Sequence, residues 1–349
     1  MRVLIDIGHP GHVHLFKNLA HLLIADGAEV LFTARDKEFE IDLLAAEGLA
    51  YRNFGKHYRS LYGKLWGLAK FDAMMLRTVL QFKPDLLISH GSIYAAHAAF
   101  LTGKKHLSLE DSGNMEQIVL YRPFTDAILT PDVLPEELGP KQIRYKGYHE
   151  VAYLHPEFFT PNPQVYEWLG LEEGAPYAIV RFVSWNATHD VGHQGLSTAD
   201  KRRLVEELSQ KMKVFITSEA ALPAQLQDFQ IRIPPQHLHH ALYYAHLVAS
   251  EGATIASEAG VLGTTTVYIN TIARSYCQDQ EQYGLVFNTS KSEEVFGLVQ
   301  RLLAQDREVF RARREQLLAD KVNVTRYLYD FIKKRYAFAP APRPWKTVN

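Results

Sequence analysis

Short apolar runs alternate with stretches of helical spacing along almost the whole chain. Val3-Leu4-Ile5, closed by Asp6-Ile7, has no polar alternation and is followed by glycine, the pattern of a buried strand. A helix is expected over 13–25, ending at Asp26-Gly27, then a strand over 29–33 and a helix over 37–47 stopped by Gly48. A short strand near Tyr51 precedes a long helix over 61–82; Lys83-Pro84 leads to a strand over 85–89. Another helix follows Gly91, and a strand covers 105–109. Strand–helix alternation of this kind implies a parallel sheet covered on both faces. The stretch 147–163, with Pro156, Pro161 and Pro163, breaks the rhythm and reads as a linker.

The pattern then restarts. Strands are expected over 177–183, 213–217, 247–250 and 265–269, and helices over 199–210, 238–245, 253–262, 292–304 and 307–319. A last helix over 323–336 is placed to cross back to the first half, and the tail 337–349 shows no core pattern. The fold class expected is α/β: two Rossmann-like parallel-sheet domains facing across a cleft. The divisions are a first domain over 1–155, a second over 156–322, and a helix and tail over 323–349.

Composition agrees with this division. The 349 residues suit two domains at roughly 100–200 residues each. A formal net charge of -1 gives no whole-chain field that would select nucleic acid. The one cysteine, Cys277, excludes an intrachain disulfide and fits a reducing compartment. Asp6 interrupts the first apolar run, which is not a signal peptide, and no run approaches the ~18 residues of a membrane span. A cytoplasmic protein is expected. Sixteen histidines are an excess that needs an explanation.

Two strand-to-helix loops carry candidate chemistry. Gly8-His9-Pro10-Gly11-His12 follows the first strand, and open α/β sheets bind ligands beyond the carboxyl ends of their strands. Gly8 and Gly11 allow close backbone approach to a diphosphate, and the helix start offers free amides. His12 would point into the cleft as a neutral general base for an acceptor hydroxyl; the plainer reading is a tight turn bearing a surface histidine. His9, His12 and His14 match no common zinc spacing, so no metal is expected there. In the second half, Ser250-Glu251-Gly252-Ala253-Thr254 repeats the arrangement. Ala253 and Thr254 would present amides to a diphosphate, and Glu258, further along that helix, could clamp a ribose diol; a salt-bridged glutamate on a buried helix is the alternative.

Polar groups gather in two further places. Arg181, Ser184, Asn186 and His189 end or follow the first strand of the second half, where Arg181 or His189 could balance charge as a diphosphate leaves. His189 and His193 flank Gly192 in a loop, against a helical metal site. His237, His239 and His240 read as capping or surface histidines. The run Asp279-Gln280-Glu281-Gln282-Tyr283 could read sugar hydroxyls or be an ordinary solvated helix face.

These blocks together resemble a family. Gly8 through Val13, Gly252 through Ala259 with Leu262-Gly263-Thr264-Thr265, and the Asp279–Tyr283 run resemble the loops of GT-B glycosyltransferases, notably the lipid II-forming N-acetylglucosaminyltransferase. The resemblance implies a GT-B fold with an acceptor domain over 1–155 and a nucleotide-sugar domain over 156–322, a donor diphosphate at Gly252-Ala253-Thr254, a ribose at Glu258, an acceptor near His12, and donor sugar at Asp279 and Gln282. Glu281 replaces the first glutamine of the family's pair. His90-Gly91-Ser92 and Leu109-Glu110-Asp111-Ser112-Gly113 resemble blocks of the non-hydrolysing UDP-N-acetylglucosamine 2-epimerases, with Ser92 where that family carries an acid and its His-Arg block missing. Glu110 remains a candidate acid or sugar contact. As a whole the chain resembles an uncharacterised bacterial and archaeal family related to both groups.

The function expected is a metal-independent glycosyltransferase moving sugar from a UDP-sugar, or a related nucleotide-sugar, to a hydroxyl acceptor in glycan or cell-envelope synthesis. No Asp-x-Asp motif appears and no cofactor beyond the UDP-sugar substrate is expected. The alternatives are a nucleotide-sugar 2-epimerase and a non-catalytic nucleotide-sugar-binding protein. The helix over 61–82 mixes Lys64, Lys70, Arg77 and Lys83 with apolar residues. Such a helix either covers the sheet or rests on the inner face of a membrane to reach a lipid-linked acceptor. A homodimer is compatible with the sequence.

Overall fold

The alternation in the sequence becomes two parallel sheets because each apolar run is buried on both faces by the helices that follow it. The computed structural model describes residues 1–56, 61–183, 195–218 and 221–336, apart from the side chains of 61–65. The chain divides into two compact units. Met1–Tyr153 with the segment from Val322 onward forms the first, and Leu154–Lys321 the second.

In unit 1 the elements run β1 (Arg2–Asp6), α1 (Pro10–Ala25), β2 (Glu29–Asp36), α2 (Glu40–Ala46), β3 (Tyr51–Lys56), α3 (Leu61–Phe82), β4 (Leu86–His90), α4 (Ile93–Thr102), β5 (Lys105–Leu109), α5 (Met115–Tyr121), β6 (Ala127–Pro131) and β7 (Gln142–Tyr145). The short helix α6 (Val151–Leu154) spans the unit boundary. The seven strands are parallel in the order β3-β2-β1-β4-β5-β6-β7. From β1 the chain winds outward to β2 and β3, then returns to β4 on the other side, so the switch point lies between β1 and β4. On α3, Phe71, Met75, Val79 and Phe82 recur at helical spacing and enter one core cluster with Leu4, Leu31 and Leu87. Sheet covering therefore accounts for the apolar residues on that face of α3, while Trp66 and Leu80 stay exposed.

Several element ends differ from the sequence pattern for identifiable reasons. Helix α1 begins at Pro10, earlier than expected, because proline suits a first turn and His9 caps it, its Nδ1 accepting from Gly11 N at 3.1 Å. Strand β2 runs on to Asp36 through Arg35, which reads as a strand end but is buried by an ion pair with Asp6. Strand β7, Gln142-Ile143-Arg144-Tyr145, is half-buried at the sheet edge and carries no apolar run, so the pattern gave no sign of it.

Unit 2 contains α7 (Val165–Trp168), β8 (Tyr177–Phe182), α8 (Thr198–Ser209), β9 (Lys213–Ser218), α9 (Leu238–Tyr244), β10 (Leu247–Ser250), α10 (Ala253–Val261), β11 (Thr266–Ile269), α11 (Ser275–Gln282), β12 (Val286–Thr289), α12 (Ser292–Leu303) and α13 (Arg307–Asp320). Its five strands are parallel in the order β12-β11-β10-β8-β9, with the switch point between β8 and β10. The last helix, α14 (Val324–Arg335), is capped by Asn323 and belongs to unit 1, where it packs on α1. Lys333 Nζ meets Asp26 Oδ2 at 2.8 Å, and Thr325 Oγ1 donates to Ala152 O at 2.7 Å. No helix among the described residues is long and apolar enough to cross a membrane.

Candidate functional site

The switch point of unit 1 is built on a buried carboxylate. Asp6, the last residue of β1, accepts from Arg35 Nη1 at 2.9 and 3.0 Å, from Thr33 Oγ1 at 2.7 Å and from Ser92 Oγ at 2.5 Å. Arg35 Nη2 donates to Ile7 O at 2.7 Å and lies where a side chain on Gly8 would go: a Cβ there would meet Nη2 at 2.9 Å. A Cβ on Gly11 would meet the His9 ring at 3.2 Å. Both glycines thus already make room for a neighbouring side chain of the protein. Ser92, in the place of the epimerase acid, caps α4 by accepting from Ala95 N at 3.1 Å.

Above this base His12 on α1, His90 at the end of β4, Asp111 after β5 and His149 after β7 come together. The His12 ring stacks on His90 at 4.5 Å between centroids, and His90 meets His149 edge-on at 5.2 Å. Asp111 lies between the last two: its Oδ1 is 2.9 Å from His90 Nε2 and its Oδ2 is 2.9 Å from His149 Nδ1. Gly91 starts the turn after β4 at φ 60°, a conformation that favours glycine, and a Cβ there would press on Gln117 and Glu110 at 3.3 and 3.4 Å. Glu110 is buried and satisfied, accepting from Ser112 N at 2.8 Å, Ser112 Oγ at 2.6 Å and Tyr121 OH at 3.0 Å.

These surroundings pull the charge states apart. Burial, and then the charge of His90, pushes His12 well below the usual imidazole pKa. Burial opposes charge on His90 as well, but the Asp111 carboxylate hydrogen-bonded to it outweighs that penalty and raises it to about 9. Burial would raise Asp111, yet His149 and His90 hold it well below the carboxylate range. At neutral pH a neutral His12 therefore faces a charged His90–Asp111 pair. Gly8 N donates to His12 Nδ1 at 3.2 Å, which in this conformation leaves the ring proton on Nε2.

At the switch point of unit 2, Gly252 opens α10 with no side-chain cap. Gly252 N donates to Ser250 Oγ at 3.1 Å, and among the described residues nothing comes closer than 3.4 Å to the place of a Cβ on Gly252. Arg181 on β8 lies beside it, its Cγ 3.7 Å from that place. Glu251 is buried and accepts from Val183 N at 2.9 Å and Leu196 N at 2.8 Å, with Lys201 Nζ at 3.0 Å. Val183 and Leu196 flank in sequence the candidates Ser184 and His189, which lie outside the described residues. Glu258 is buried on α10, and His239 Nε2 is 3.0 Å from its Oε1. Reading His239 as a capping or surface residue is corrected: it is buried, because α9 packs on α10.

The expected sugar-binding run divides on α11. Asp279 is paired with the buried Lys321 at 2.6 Å, Gln282 is exposed, and Gln280 turns into the core, its Nε2 donating to Ser257 Oγ at 2.6 Å. Within unit 2 the structure brings Arg181 beside Gly252 at the start of α10; within unit 1 it brings His12 beside His90. Sequence reasoning missed His149 and the pairing of His90 with Asp111. The His-Gly and Glu-Asp blocks after two strands were a signal for the pair, whereas nothing local marks His149.

The architecture defines a GT-B-type protein, two parallel-sheet α/β units of seven and five strands. The model of the family described as "Protein of unknown function (DUF354)" matches residues 1–329, and the chain belongs to that family. No curated protein matches the sequence. Among solved structures, the UDP-GlcNAc 2-epimerase of Neisseria meningitidis bound to UDP-GlcNAc is similar with a TM-score of 0.69 at 13% identity, over 96% of this chain and 100% of that one. The MnaA–UDP structure from S. aureus gives 0.68 at 11%, over 99% and 100%. The SsfS6 glycosyltransferase of Streptomyces sp. SF2575 gives 0.57 at 16%, over 94% and 99%. At such identities the likeness establishes the fold.

Proposed function

We propose that this protein is an enzyme of nucleotide-sugar chemistry, and specifically a glycosyltransferase that moves a sugar from a UDP-sugar to a hydroxyl of a glycan or lipid-linked acceptor. The observation that carries the reading is the start of α10 at the switch point of unit 2: a helix end opened by Gly252, which brings no side-chain cap, with Arg181 alongside. Amides of Ala253 and Thr254 there suit a diphosphate, and the positive helix end with Arg181 offsets the charge left when UDP departs. Glu258, oriented by His239, serves the ribose diol. In unit 1, His12 takes the acceptor proton while the acceptor oxygen bonds to the sugar C1 and the C1–O bond to the diphosphate breaks. To do so it gives up the bond from Gly8, at a cost of about 1 kcal/mol, so that the proton sits on Nδ1 and Nε2 carries the lone pair. Asp279 and Gln282 retain the role of donor-sugar contacts only if Asp279 exchanges Lys321 for the sugar.

A 2-epimerase is the second reading, favoured by the density of acid–base groups around His90 and Asp111 and disfavoured by Ser92, which is committed to capping α4. The test is UDP binding by calorimetry, followed by transfer from a labelled UDP-sugar. His12→Ala should lower transfer by about 10²–10⁴-fold with UDP affinity unchanged. Solvent deuterium at the sugar C2 would establish the epimerase instead, binding without turnover a sensing role, and absence of any nucleotide or nucleotide-sugar binding would sink the proposal.

A further inference from the structure

We propose that His90, Asp111 and His149 form a binding site for a divalent transition-metal ion in unit 1. One ligand atom from each of the three lies within 4.8 Å of the others, and Asp111 approaches both histidines, Oδ1 at 2.9 Å from His90 Nε2 and Oδ2 at 2.9 Å from His149 Nδ1. Ions of this kind hold imidazole nitrogen and carboxylate oxygen at about 2.0–2.2 Å, which puts neighbouring ligand atoms roughly 3.0–3.5 Å apart. An ion therefore widens the two close contacts slightly and draws the three ligand atoms, within 4.8 Å of one another, into that range. The histidines meet Asp111 on opposite oxygens, so one carboxylate faces both imidazoles.

The donor set fixes the class of ion. Two imidazoles with one carboxylate suit zinc, iron(II), cobalt, nickel or manganese, and suit calcium or magnesium poorly because those prefer oxygen throughout. Three protein ligands leave coordination positions open, the count of a catalytic rather than a structural site. Position agrees with chemistry: His90 ends β4, Asp111 follows β5 and His149 follows β7, so all three sit beyond the carboxyl ends of the sheet, with His12 stacked on His90.

Two buried atoms beside the cluster lack partners among the described residues: His149 Nε2 makes no hydrogen bond there, nor does the hydroxyl of Tyr145, whose ring stacks on His149 at 6.4 Å. Burying two polar atoms without partners is costly, and both belong to side chains at the cluster. The site also accounts for part of the histidine excess, and it differs from the His9, His12 and His14 trio, whose spacing matches no common zinc signature.

The test uses the full chain without a histidine tag, loaded with zinc and desalted. Elemental analysis should find one zinc per chain. Cobalt(II) in its place should give the visible absorption of a low-coordinate nitrogen–oxygen site. His90→Ala, Asp111→Asn and His149→Gln should each weaken zinc binding by at least about 100-fold, more than a residue outside the ligand set usually does. His97→Ala, in a pair with Asp72 elsewhere in unit 1, should retain one equivalent. If a variant fails to fold, the cobalt spectrum of the wild type still decides. A wild type that keeps less than a tenth of an equivalent, shows only the spectrum of hydrated cobalt, or shares its affinity with all three variants overturns the site. UDP binding at unit 2 is a separate measurement and stands or falls apart from it.

Discussion

Replacing Asp6 by asparagine tests the account of unit 1 with least change of shape. Asp6 is 1% exposed and Arg35 8%, and three donor side chains converge on the carboxylate. The amide keeps one acceptor oxygen and turns an NH₂ toward donors, so at least one of Thr33, Arg35 and Ser92 loses its partner, and the Arg35 charge is left buried without compensation. Breaking a buried pair from one side costs about 3–5 kcal/mol. For a unit of roughly 150–250 residues that lowers the melting temperature by about 6–20 °C. With two units in the chain a single melt is ambiguous. Hydrogen exchange read by mass spectrometry resolves it: amides of β1, β2 and β4 should lose protection, with β10 and β11 as the internal reference. Removing the charge as well, in Asp6→Asn/Arg35→Met, should restore more than half of the loss, because an apolar replacement leaves no buried ion. An Asp6→Asn protein that melts within about 3 °C of the wild type, under 1–2 kcal/mol on the same scale, with exchange unchanged, would refute the reasoning.

Further outcomes can be measured on the same protein. Glu258→Ala should weaken UDP binding by about 1–3 kcal/mol, the worth of a charged hydrogen bond, and His239→Ala by less, since the carboxylate remains; equal losses in calorimetry would mean that Glu258 acts only through packing. His106 is buried, and burial pushes its pKa down to about 3. Unfolded, it titrates near 6.5, so between those values only the unfolded chain takes up the proton. The stability tied to neutral His106 is complete above about pH 6.5 and falls toward pH 3 by up to ~1.4 kcal/mol per unit. His106→Gln should flatten that limb in urea titrations, and parallel limbs would contradict it. Gly260→Ala sets a methyl against Gln280 Oε1 and, at 2.6 Å, Val286 Cγ2, and should destabilise unit 2 by about 1–3 kcal/mol in thermal unfolding.

The local record was sufficient for the alternation of strands and helices, the restart of the pattern in the second half, and the loops after β1 and β10. Those features depend on hydrophobic spacing, glycine and proline, which act over a few residues. Arg35 shows where such reading stops. A charge near the end of a strand signals solvent, and only the neighbouring β1, carrying Asp6, makes it a buried residue.

The same reason separates what the chain settles alone from what the folded molecule decides. Strand β1 is a strand because of its own residues. Gly8 is small because Arg35 occupies the space, His239 is buried because α10 offers Glu258, and Asp279 is taken by Lys321 from beyond α13. His90, Asp111 and His149 meet because the sheet order sets the ends of β4, β5 and β7 on one side of unit 1. Each of these depends on a partner distant in sequence, and such a partner becomes a neighbour only when strand order is fixed, which no short window of residues encodes.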